Sequence, residues 1–361
     1  MTDSCQSERL TRATDTYREI MDQPRSWRVA LAAAREQWPA IRGRLGAVLA
    51  ADEILLTGCG SSYYLSLVAA ALLRPALERR VTVLPSSELL LHAGAALGPL
   101  RPGLLVALSR SGETSETVLA AERAKGAYGV PVLSITCRGE SSLGRLGDAT
   151  LAMDAVQEAG VVMTKSFTSI LIALQQGAGC LAGETLDDEL GQLPGILERL
   201  LLQYAGLAEQ VGALSGVEKR IFLGGGPFYG LACEANLKMK EMAIVSSEVY
   251  HSLEFRHGPI SIVDRSTLVT CFVSDAGRDY EVPLLAELKS LGARLFVVCE
   301  RAESAIEATA DHLIELRSGL GEAARVALHL PFAHLLAHAC AVSRGEDPDH
   351  PRNLSPVVML S

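Results

Sequence analysis

The chain repeats one order of short segments at a spacing of roughly 160 residues, and this duplication limits its possible folds more than any other feature. Each matched pair shares its apolar pattern, its glycines or its hydroxyl side chains. The pairs are Ile54–Tyr63 with Ile221–Tyr229, Ser86–Glu88 with Ser246–Glu248, Leu104–Ser109 with Thr267–Val273, and Gly129–Cys137 with Gly292–Cys299. Because four matches in the same order seldom arise by chance, the sequence predicts two copies of one structural unit.

Within the first copy, short apolar runs alternate with longer helical stretches. The predicted strands are Glu53–Thr57, Arg80–Leu84, Leu104–Ser109 and Pro131–Thr136, and the predicted helices are Tyr63–Leu73, Glu88–Leu91 and Glu116–Tyr128. Such alternation is typical of a parallel sheet with helices on both faces. The expected fold class is α/β, with two doubly wound parallel-sheet subdomains related by internal duplication.

The length of 361 residues fits two domains better than one. The predicted divisions are a helical lead-in at 1–45, a first domain at 46–200, a second domain at 201–345 and an extended tail at 346–361. The lead-in carries Trp27 and Trp38, which are expected to dock on a neighbouring element. Residues 166–214 are predicted to be helical, and Leu193-Pro194-Gly195 is predicted to interrupt them because proline removes a helical hydrogen bond.

Composition excludes several classes of protein. Hydrophobic residues make up 48% of the chain and charged residues 21%, as in globular rather than disordered proteins. The formal net charge of −9 argues against non-specific nucleic-acid binding, which needs a basic surface. The first residues, Met1–Arg18, lack an apolar signal core, and we expect no apolar run of the ~20 residues that a membrane helix needs. A cytoplasmic protein without nucleic-acid or membrane partners is expected.

Cofactor and metal sites are not expected either. The eight cysteines are scattered and form no Cys-x-x-Cys pair, which argues against a zinc or disulfide framework. The turn at 58–63 lacks the third glycine of a dinucleotide fingerprint, and the turn at 109–114 lacks the Gly-Lys-Ser/Thr of a Walker loop. The sequence therefore predicts neither a nucleotide cofactor nor a metal ion.

The segment Ser-Arg-Ser-Gly-Glu-Thr, which begins at Ser109, lies between a predicted strand and a predicted helix. The start of a helix presents unpaired N–H groups and the positive end of its dipole, and both favour an anion. Gly112 permits close approach of the backbone, and the hydroxyls of Ser109, Ser111 and Thr114 add donors. Arg110 either adds a charge-assisted hydrogen bond or points to solvent. We interpret this segment as a phosphate-binding turn.

A second strand-to-helix turn carries Gly58, Gly60, Ser61 and Ser62. In a doubly wound sheet, such turns meet at the carboxyl edge of the strands, where ligands bind. Serine, threonine and glycine are also ordinary capping and turn residues, so either turn alone has an equally simple structural explanation. The corresponding segment of the second copy, 273–279, is acidic, and we expect that copy to have lost the phosphate site.

A group of charged residues suggests acid–base chemistry. The predicted helix 232–243 carries Glu234, Lys238 and Glu241 on one face, because residues three, four and seven apart point the same way. Moving a proton between adjacent carbons of a sugar needs a base, and a carboxylate beside a cation suits that task. The alternative is a solvated, salt-bridged face. The preceding glycines, 224–226, duplicate the first glycine turn, and this position favours the catalytic interpretation.

Four histidines are candidates for proton transfer or metal binding. His257 precedes Gly-Pro in the turn 254–259, and an imidazole is suited to proton transfer near neutral pH. His329, His334 and His338 lie on an apolar predicted helix, where only the last two have the spacing of a metal-binding pair. Because no acidic residue is nearby, we interpret these three as packing or surface residues.

These segments resemble the sugar isomerase (SIS) domain family, and within it the tandem isomerase portion of glucosamine-6-phosphate synthase. The resemblance covers nearly the whole chain, and its most specific parts are Ser109–Thr114, Thr164–Thr168, Glu234–Glu241 and Glu254–Pro259. It implies flavodoxin-like subdomains that bind the 6-phosphate of a sugar. The substrate- and phosphate-binding residues that it implies are Ser61, Ser62, Ser109, Arg110, Ser111, Thr114 and Val161.

The resemblance also implies catalytic roles. Glu241 is expected to move a proton between C1 and C2 of the sugar, with Lys238 and Glu234 nearby. The family counterpart of His257 opens the sugar ring and enters the site from a second subunit, which implies a homodimer.

Three departures limit the resemblance. No segment corresponds to the glutaminase domain of the synthase, so ammonia is not expected to come from glutamine. Pro356 stands where the synthase has a lysine that forms an imine with the ketose, and proline has no side-chain amine. Met163 and Arg110 replace a small hydroxyl residue and an amide that the family often has, so the identity of the sugar stays open.

The sequence as a whole predicts a phosphosugar isomerase or deaminase acting on an amino sugar 6-phosphate, of the glucosamine-6-phosphate/fructose-6-phosphate type. A deglycase, or an isomerase of another hexose phosphate derivative, is the alternative within the same chemistry. A non-catalytic sugar-phosphate sensor is the alternative from another class, which Pro356 favours and which Glu241 and His257 oppose. The expected partners are a small-molecule sugar phosphate and a second copy of the chain.

Overall fold

The computed structural model describes residues 14–97, 102–182 and 186–360, so positions 1–13 of the predicted lead-in lie outside the described residues. The chain divides into two compact units. The first unit comprises Arg25–Glu158, Lys165–Gln192 and the tail from Ser355. The second unit comprises the residues up to Pro24, together with Ala159–Thr164 and Leu193–Leu354. Each unit contains one parallel sheet and helices that cover it.

The helices and strands follow the predicted alternation. In chain order they begin with α1 (Asp15–Met21), α2 (Gln23–Leu45), a 3₁₀ turn (Gly46–Ala50), β1 (Glu53–Gly58), α3 (Ser61–Leu77), β2 (Arg80–Pro85), α4 (Ser86–Leu91), α5 (Ala93–Leu97), β3 (Leu104–Leu108), α6 (Ser115–Tyr128), β4 (Val132–Thr136), α7 (Ser142–Leu146), β5 (Ala149–Ala152) and α8 (Lys165–Ala182). They continue with α9 (Asp187–Gly212), β6 (Lys219–Gly224), α10 (Pro227–Ala243), β7 (Glu248–His251), two 3₁₀ turns (Glu254–Arg256 and Pro259–Ile262), β8 (Thr267–Phe272), α11 (Arg278–Ser290), β9 (Arg294–Cys299), α12 (Ser304–Thr309), β10 (His312–Glu315), α13 (Glu322–Arg325), a 3₁₀ turn (Val326–His329) and α14 (Leu330–Ser343).

The sheet of the first unit has the strand order β2-β1-β3-β4-β5, with every pair parallel. All residues of β3 and β4 are buried, because helices cover both faces of the sheet. The direction in which successive strands are added to the sheet reverses between β1 and β3. In α/β proteins, ligands bind at the carboxyl edge of the sheet at such a point. The predicted strands are confirmed. The sequence missed β5, whose alanines carry little strand preference.

The sheet of the second unit has the order β10-β9-β8-β6-β7, again with every pair parallel. Read from β7 to β10, this order matches that of the first sheet read from β2 to β5. The central strands β8 and β9 supply an apolar core, which includes Val269, Cys271, Leu295 and Val297. The predicted α/β fold with two doubly wound subdomains related by duplication is therefore confirmed.

The glycine turns after β1 and β6 show how closely the two copies agree. Gly60 has φ 53° and ψ −125°, and Gly226 has φ 55° and ψ −129°. A Cβ atom on Gly58 would lie 2.7 Å from the backbone of α3, and one on Gly224 would lie 2.4 Å from the backbone of α10. Both helices contain 17 residues. Each turn therefore needs glycine at the same two positions, for close approach and for positive φ.

One predicted pair of the duplication, 86–88 with 246–248, is wrong. Ser86 follows the last residue of β2, whereas Ser246 precedes β7. His251 at the end of β7 pairs with Gly224, just as the last residue of β2 pairs with the glycine that ends β1. The counterpart of Ser86 is therefore Ser252. A shared Ser-Ser-Glu triplet carries no information about strand pairing, which is what fixes the correspondence.

The predicted helix break at Leu193-Pro194-Gly195 is also wrong. α9 continues from Asp187 to Gly212 with Pro194 inside it. Leu193, Leu197 and Leu200 are fully buried. The burial of this apolar face offsets the one helical hydrogen bond that a proline removes.

The lead-in helix α2 docks through its two tryptophans, as predicted. Trp27 Nε1 donates to Thr168 Oγ1 at 2.8 Å, and Trp38 Nε1 donates to the Ala173 carbonyl oxygen at 2.9 Å. Both acceptors lie on α8. A Cβ atom on Gly177 would lie 2.0 Å from the Trp38 ring, so this glycine makes room for the indole. The two buried indoles, both with bonded N–H groups, stabilise the contact of α2 with α8.

The segment Glu322–Ser343, which contains α13 and α14, is long and apolar enough to cross a membrane by length and composition. The expectation that no such run exists is therefore wrong. Its mean hydropathy is 1.4, and 89% of the apolar stretch is buried inside the protein. Burial of this kind is what the central helix of a folded domain shows.

The three histidines of this segment are packing residues. The rings of His329 and Phe228 are 4.6 Å apart, and His338 Nε2 lies 2.7 Å from Thr14 Oγ1. His334 is fully buried, and neither ring nitrogen has a hydrogen-bond partner among the described residues. Of the two interpretations left open by the sequence, packing is the one that applies.

Acid should destabilise the second unit through these histidines. Burial lowers the pKa of His329 to about 3 and that of His338 to about 4, and it lowers the pKa of His334 well below the ordinary value. Below pH ~6.5 the unfolded chain binds protons on these rings and the folded chain does not. Each histidine thus contributes stability near neutral pH that is lost as pH falls toward its folded pKa, at about 1.4 kcal/mol per pH unit.

We expect the free energy of unfolding, measured with urea, to fall steeply between pH ~6.5 and pH ~4.5. His338→Gln should make this fall shallower, since it removes one of the three titrating rings. A free energy of unfolding that stays constant over this range would contradict the buried, neutral state of the histidines.

Candidate functional site

The predicted phosphate turn connects β3 to α6 at the carboxyl edge of the first sheet. Ser109 and Ser111 are buried, and Thr114 is the N-cap residue of α6. Ser109 Oγ lies 3.1 Å from Thr114 Oγ1 and accepts the Gly112 N–H at 3.1 Å. Ser111 Oγ accepts the Glu113 N–H at 3.2 Å. The turn thus holds three hydroxyls at the start of a helix, an arrangement that suits an oxyanion.

The turn is held in place by its contacts with α7. Gly112 has φ +68°, and a Cβ atom there would lie 1.8 Å from Ser141 Oγ, so any side chain at this position would collide with the N-cap residue of α7. The Glu113 carboxylate accepts the Ser142 N–H at 2.9 Å and the Ser142 hydroxyl at 2.7 Å. These hydrogen bonds lower the pKa of Glu113. The acidic side chain of the turn is therefore engaged with α7.

The second turn lies beside the first, because β1 and β3 are paired neighbours. Ser61 and Ser62 are buried and begin α3. Ser86 Oγ, at the end of β2, lies 3.1 Å from Thr57 Oγ1 and 3.0 Å from Thr117 Oγ1 of α6. Hydroxyl groups from β1, the start of α4 and α6 thus form one continuous chain at this edge of the sheet.

Arg110 does not point to solvent. One guanidinium nitrogen lies 3.2 Å from Glu158 Oε2, and another donates to the Pro356 carbonyl oxygen at 3.3 Å. The Glu158 side chain is fully buried and also accepts the Ser166 N–H and hydroxyl, at 3.1 and 2.6 Å. Arg110 is thus held beside the phosphate turn by a buried carboxylate. No sequence pattern pointed to Glu158, which is 48 positions away from Arg110 along the chain.

The tail, Ser355–Leu360, contacts the first turn of α6. The Ser115 N–H donates to the Val358 carbonyl oxygen at 3.3 Å, and the Leu360 N–H donates to Ser115 Oγ at 3.1 Å. No helix or strand occurs in the described residues from 346 to 360. Pro356 of this tail contributes its backbone carbonyl to Arg110.

The acid–base residues lie on α10 in the second unit. Lys238 is fully buried, with its Nζ 3.2 Å from Glu234 Oε1 and in contact with Glu241 Oε2. Burial alone would lower the pKa of Lys238, but the two carboxylates outweigh it and raise that pKa. Glu234 is fully buried, whereas the Glu241 side chain is 19% exposed. This helix face is therefore a buried charged triad with one accessible carboxylate, and not a solvated face.

The other predicted site residues of the second unit differ in how exposed they are. His257 is exposed and follows the 3₁₀ turn Glu254–Arg256, as predicted. Gly258, which comes next, has φ +116°, a backbone conformation that favours glycine. Val161 is half-buried and Met163 is buried. Among the residues that the structure describes, no three His, Cys, Asp or Glu side chains come together in a way that could hold a metal ion.

Two regions of the chain match a single family model. The model described as "SIS domain" matches residues 48–178 and 213–341, one match for each copy. Among curated proteins, the isomerizing glutamine–fructose-6-phosphate aminotransferase of Pyrobaculum aerophilum is 32% identical over 353 residues. The alignment covers 95% of this chain and 57% of that relative, so the chain spans little more than half of its length.

Two solved structures are similar over almost their whole length. Glucosamine-6-phosphate deaminase from Thermotoga maritima is 29% identical with a TM-score of 0.77, and the match covers 96% of this chain and 100% of that chain. Tagatose-6-phosphate ketose/aldose isomerase from Escherichia coli is 27% identical with a TM-score of 0.85, with coverage of 95% and 98%.

Proposed function

Because this chain belongs to the SIS domain family, whose relatives here are phosphosugar isomerases and aminotransferases, we propose that it is an enzyme acting on an amino sugar 6-phosphate. The reaction is the conversion of glucosamine 6-phosphate and water to fructose 6-phosphate and ammonia. The observation that carries the proposal is the accessible Glu241 carboxylate beside the buried Lys238 ammonium. Similarity to the Thermotoga maritima deaminase over that protein's whole chain supports the deaminating direction.

In the proposed mechanism, the phosphate binds at the turn that carries Ser109, Ser111 and Thr114. His257 assists opening of the sugar ring to the free aldehyde. Glu241 then takes the proton from C2 and delivers it to C1. In the same conversion the C1 aldehyde oxygen gains a proton and becomes a hydroxyl, while the C2 amine loses one and becomes an imine. Water adds to the imine carbon, and the amine leaves as ammonia. Lys238 keeps Glu241 in position through their ion pair.

The first experiment is an ammonia assay on purified protein given glucosamine 6-phosphate, with fructose 6-phosphate measured in parallel. We expect ammonia and fructose 6-phosphate in equal amounts. Glucose 6-phosphate, and fructose 6-phosphate with ammonium, serve as comparison substrates. Turnover of a comparison substrate without ammonia release would replace the deaminase with an isomerase.

A second candidate is an isomerase of another hexose phosphate derivative. Two observations favour it: the similarity to the Escherichia coli tagatose-6-phosphate isomerase, and the replacement of the tail lysine by Pro356. Without a side-chain amine the tail cannot form an imine with a ketose, whereas proton transfer by Glu241 needs no such amine. Tagatose 6-phosphate therefore belongs among the comparison substrates. A sensor without catalysis would bind one of these sugars and turn over none.

Removal of the phosphate-turn hydroxyls should weaken substrate binding. In Ser109→Ala with Thr114→Ala, each lost hydrogen bond to a charged acceptor costs about 1.5–3 kcal/mol. KM should rise by roughly 10²-fold or more, while kcat changes much less. Steady-state kinetics measure both values, and Thr82→Ala, which removes a hydroxyl of β2 outside this turn, is the matched control. An unchanged KM in the double variant would exclude this turn as the phosphate site.

We also propose a cytoplasmic homodimer in which His257 acts on the substrate of the second subunit. The exposed position of His257 on a turn supports this proposal. A mixture of Glu241→Gln and His257→Gln chains tests it, because a mixed dimer would contain one site with both groups intact. Activity should reappear on mixing. If it does not reappear in a mixture shown to form mixed dimers, His257 acts within its own chain or not at all.

A further inference from the structure

The second unit has a cavity of about 410 Å³ at the carboxyl edge of its sheet. The turns after β6 and β8 and the residues that follow β7 line this cavity. These elements are the counterparts of those that surround the proposed phosphate site in the first unit. The duplicate cleft is therefore still present, although its turn has lost the Ser-Arg-Ser-Gly-Glu-Thr sequence.

A buried carboxylate, that of Glu281, lines this cleft. Its Oε2 accepts the Ser274 N–H at 2.8 Å and the Ser274 hydroxyl at 3.0 Å, and its Oε1 accepts the Ser252 hydroxyl at 2.8 Å. A Cβ atom on Gly277 would lie 3.0 Å from the carboxyl carbon, so the backbone also closes around it. Three donors thus converge on one oxyanion, near the start of α11, where the helix dipole favours negative charge.

Glu281 corresponds to Thr117 of the first unit. Ser252 directly follows β7 as Ser86 directly follows β2. Glu281 on α11 bonds to Ser252, and Thr117 on the matching helix α6 bonds to Ser86 at 3.0 Å. At the same place in the fold, the first unit has a short neutral hydroxyl and the second unit has a longer anionic side chain.

We infer that the second unit has kept an oxyanion niche and fills it with the Glu281 carboxylate, which acts as a built-in substitute for a phosphate group. The donors are the Ser274 backbone and hydroxyl and the Ser252 hydroxyl. The chain consequently binds one sugar phosphate and not two. That count rests on the proposed function of the first unit, whereas the niche itself rests only on the contacts of Glu281.

The niche should accept inorganic phosphate once the carboxylate is removed. The test uses full-length chains with Ser109→Ala and Thr114→Ala, which disable the proposed first site, with and without Glu281→Thr. Thermal denaturation is followed against phosphate at constant ionic strength. We expect phosphate to leave Tm of the parent unchanged and to raise Tm of the Glu281→Thr chain with the logarithm of phosphate concentration.

Asp279→Thr is the matched control, since it removes an exposed carboxylate from the same turn of α11 and the same charge. It should give no phosphate-dependent rise. A folded Glu281→Thr chain without a rise, or an equal rise in the Asp279→Thr chain, would overturn the inference.

If Glu281→Thr does not fold in chloride, refolding in phosphate becomes the readout. Recovery of the native circular dichroism in phosphate alone supports the niche, and failure in both salts contradicts it. Failure of the proposed function is a separate result, because it would appear in the ammonia assay and in the KM of the variant with Ser109→Ala and Thr114→Ala. If phosphate stabilises this parent, the effect of Glu281→Thr is read as the additional rise above it.

Discussion

Replacement of Glu241 by glutamine is expected to lower kcat by roughly 10²- to 10⁴-fold, the usual contribution of a positioned general base. Glutamine keeps the size of the side chain and can still accept a hydrogen bond from Lys238, but it cannot take up a proton at neutral pH. Substrate binding should change little, because phosphate recognition is assigned to a different turn. The measurement is the rate of ammonia or isomer formation, compared with binding of the same sugar phosphate by calorimetry.

Glu218→Gln is the matched control for this variant, since Glu218 is an exposed carboxylate of the same unit. It should keep the kcat of the unaltered chain. Thermal denaturation should show that Glu241→Gln is folded, because Lys238 keeps its ion pair with Glu234. A fully active Glu241→Gln enzyme would mean that another group is the base.

Replacement of Lys238 by methionine should cost about 3–5 kcal/mol of unfolding free energy, as expected when one partner of a buried ion pair is removed. The ammonium lies between two carboxylates, and Glu234 is fully buried with it. Methionine fills a similar volume and removes the charge, so the carboxylates face each other without the cation. Urea denaturation measures the loss, and kcat should also fall because Glu241 loses the group that positions it.

Two further variants separate charge from packing. The triple variant Lys238→Met, Glu234→Gln and Glu241→Gln should recover much of the lost stability, since a triad removed as a whole leaves no uncompensated buried charge. Lys219→Met breaks a surface ion pair with Asp264 and should change stability little, because solvent screens such a pair. If Lys238→Met were no more harmful than Lys219→Met, the triad would not be the buried cluster described above.

The sequence predicts the fold well where its signals are local. β3 is a continuous apolar run, and β4 is apolar apart from Ser134 and Thr136; only a sheet covered on both faces buries every residue of such strands. The prediction fails where tertiary packing outweighs local preference. Pro194 lies inside a helix because the leucines around it are buried, and Ser246 was misplaced because strand pairing, not letter identity, decides the correspondence.

The candidate site divides in the same way. The hydroxyl turn from Ser109 and the helix spacing of Glu234, Lys238 and Glu241 are visible in short stretches of sequence. Whether that helix face is buried or solvated is not visible there, because burial depends on what packs against it. The partners of Arg110 could not be predicted from a local sequence pattern, since one is 48 and the other 246 positions away.

The matched glycine turns have a consequence for how the two halves of this gene can evolve. Any side chain at Gly58 or Gly224 would collide with the helix that follows, so selection against mutation should act there equally in both halves. Thr117 and Glu281 occupy corresponding places but differ in charge. The glycines that the backbone requires are thus the same in both halves, while other positions can change in one half alone, which can lose a ligand and specialise. Few mutations are needed for one of two duplicated units to specialise when the residues that set the backbone and the residues that set the chemistry are at different positions.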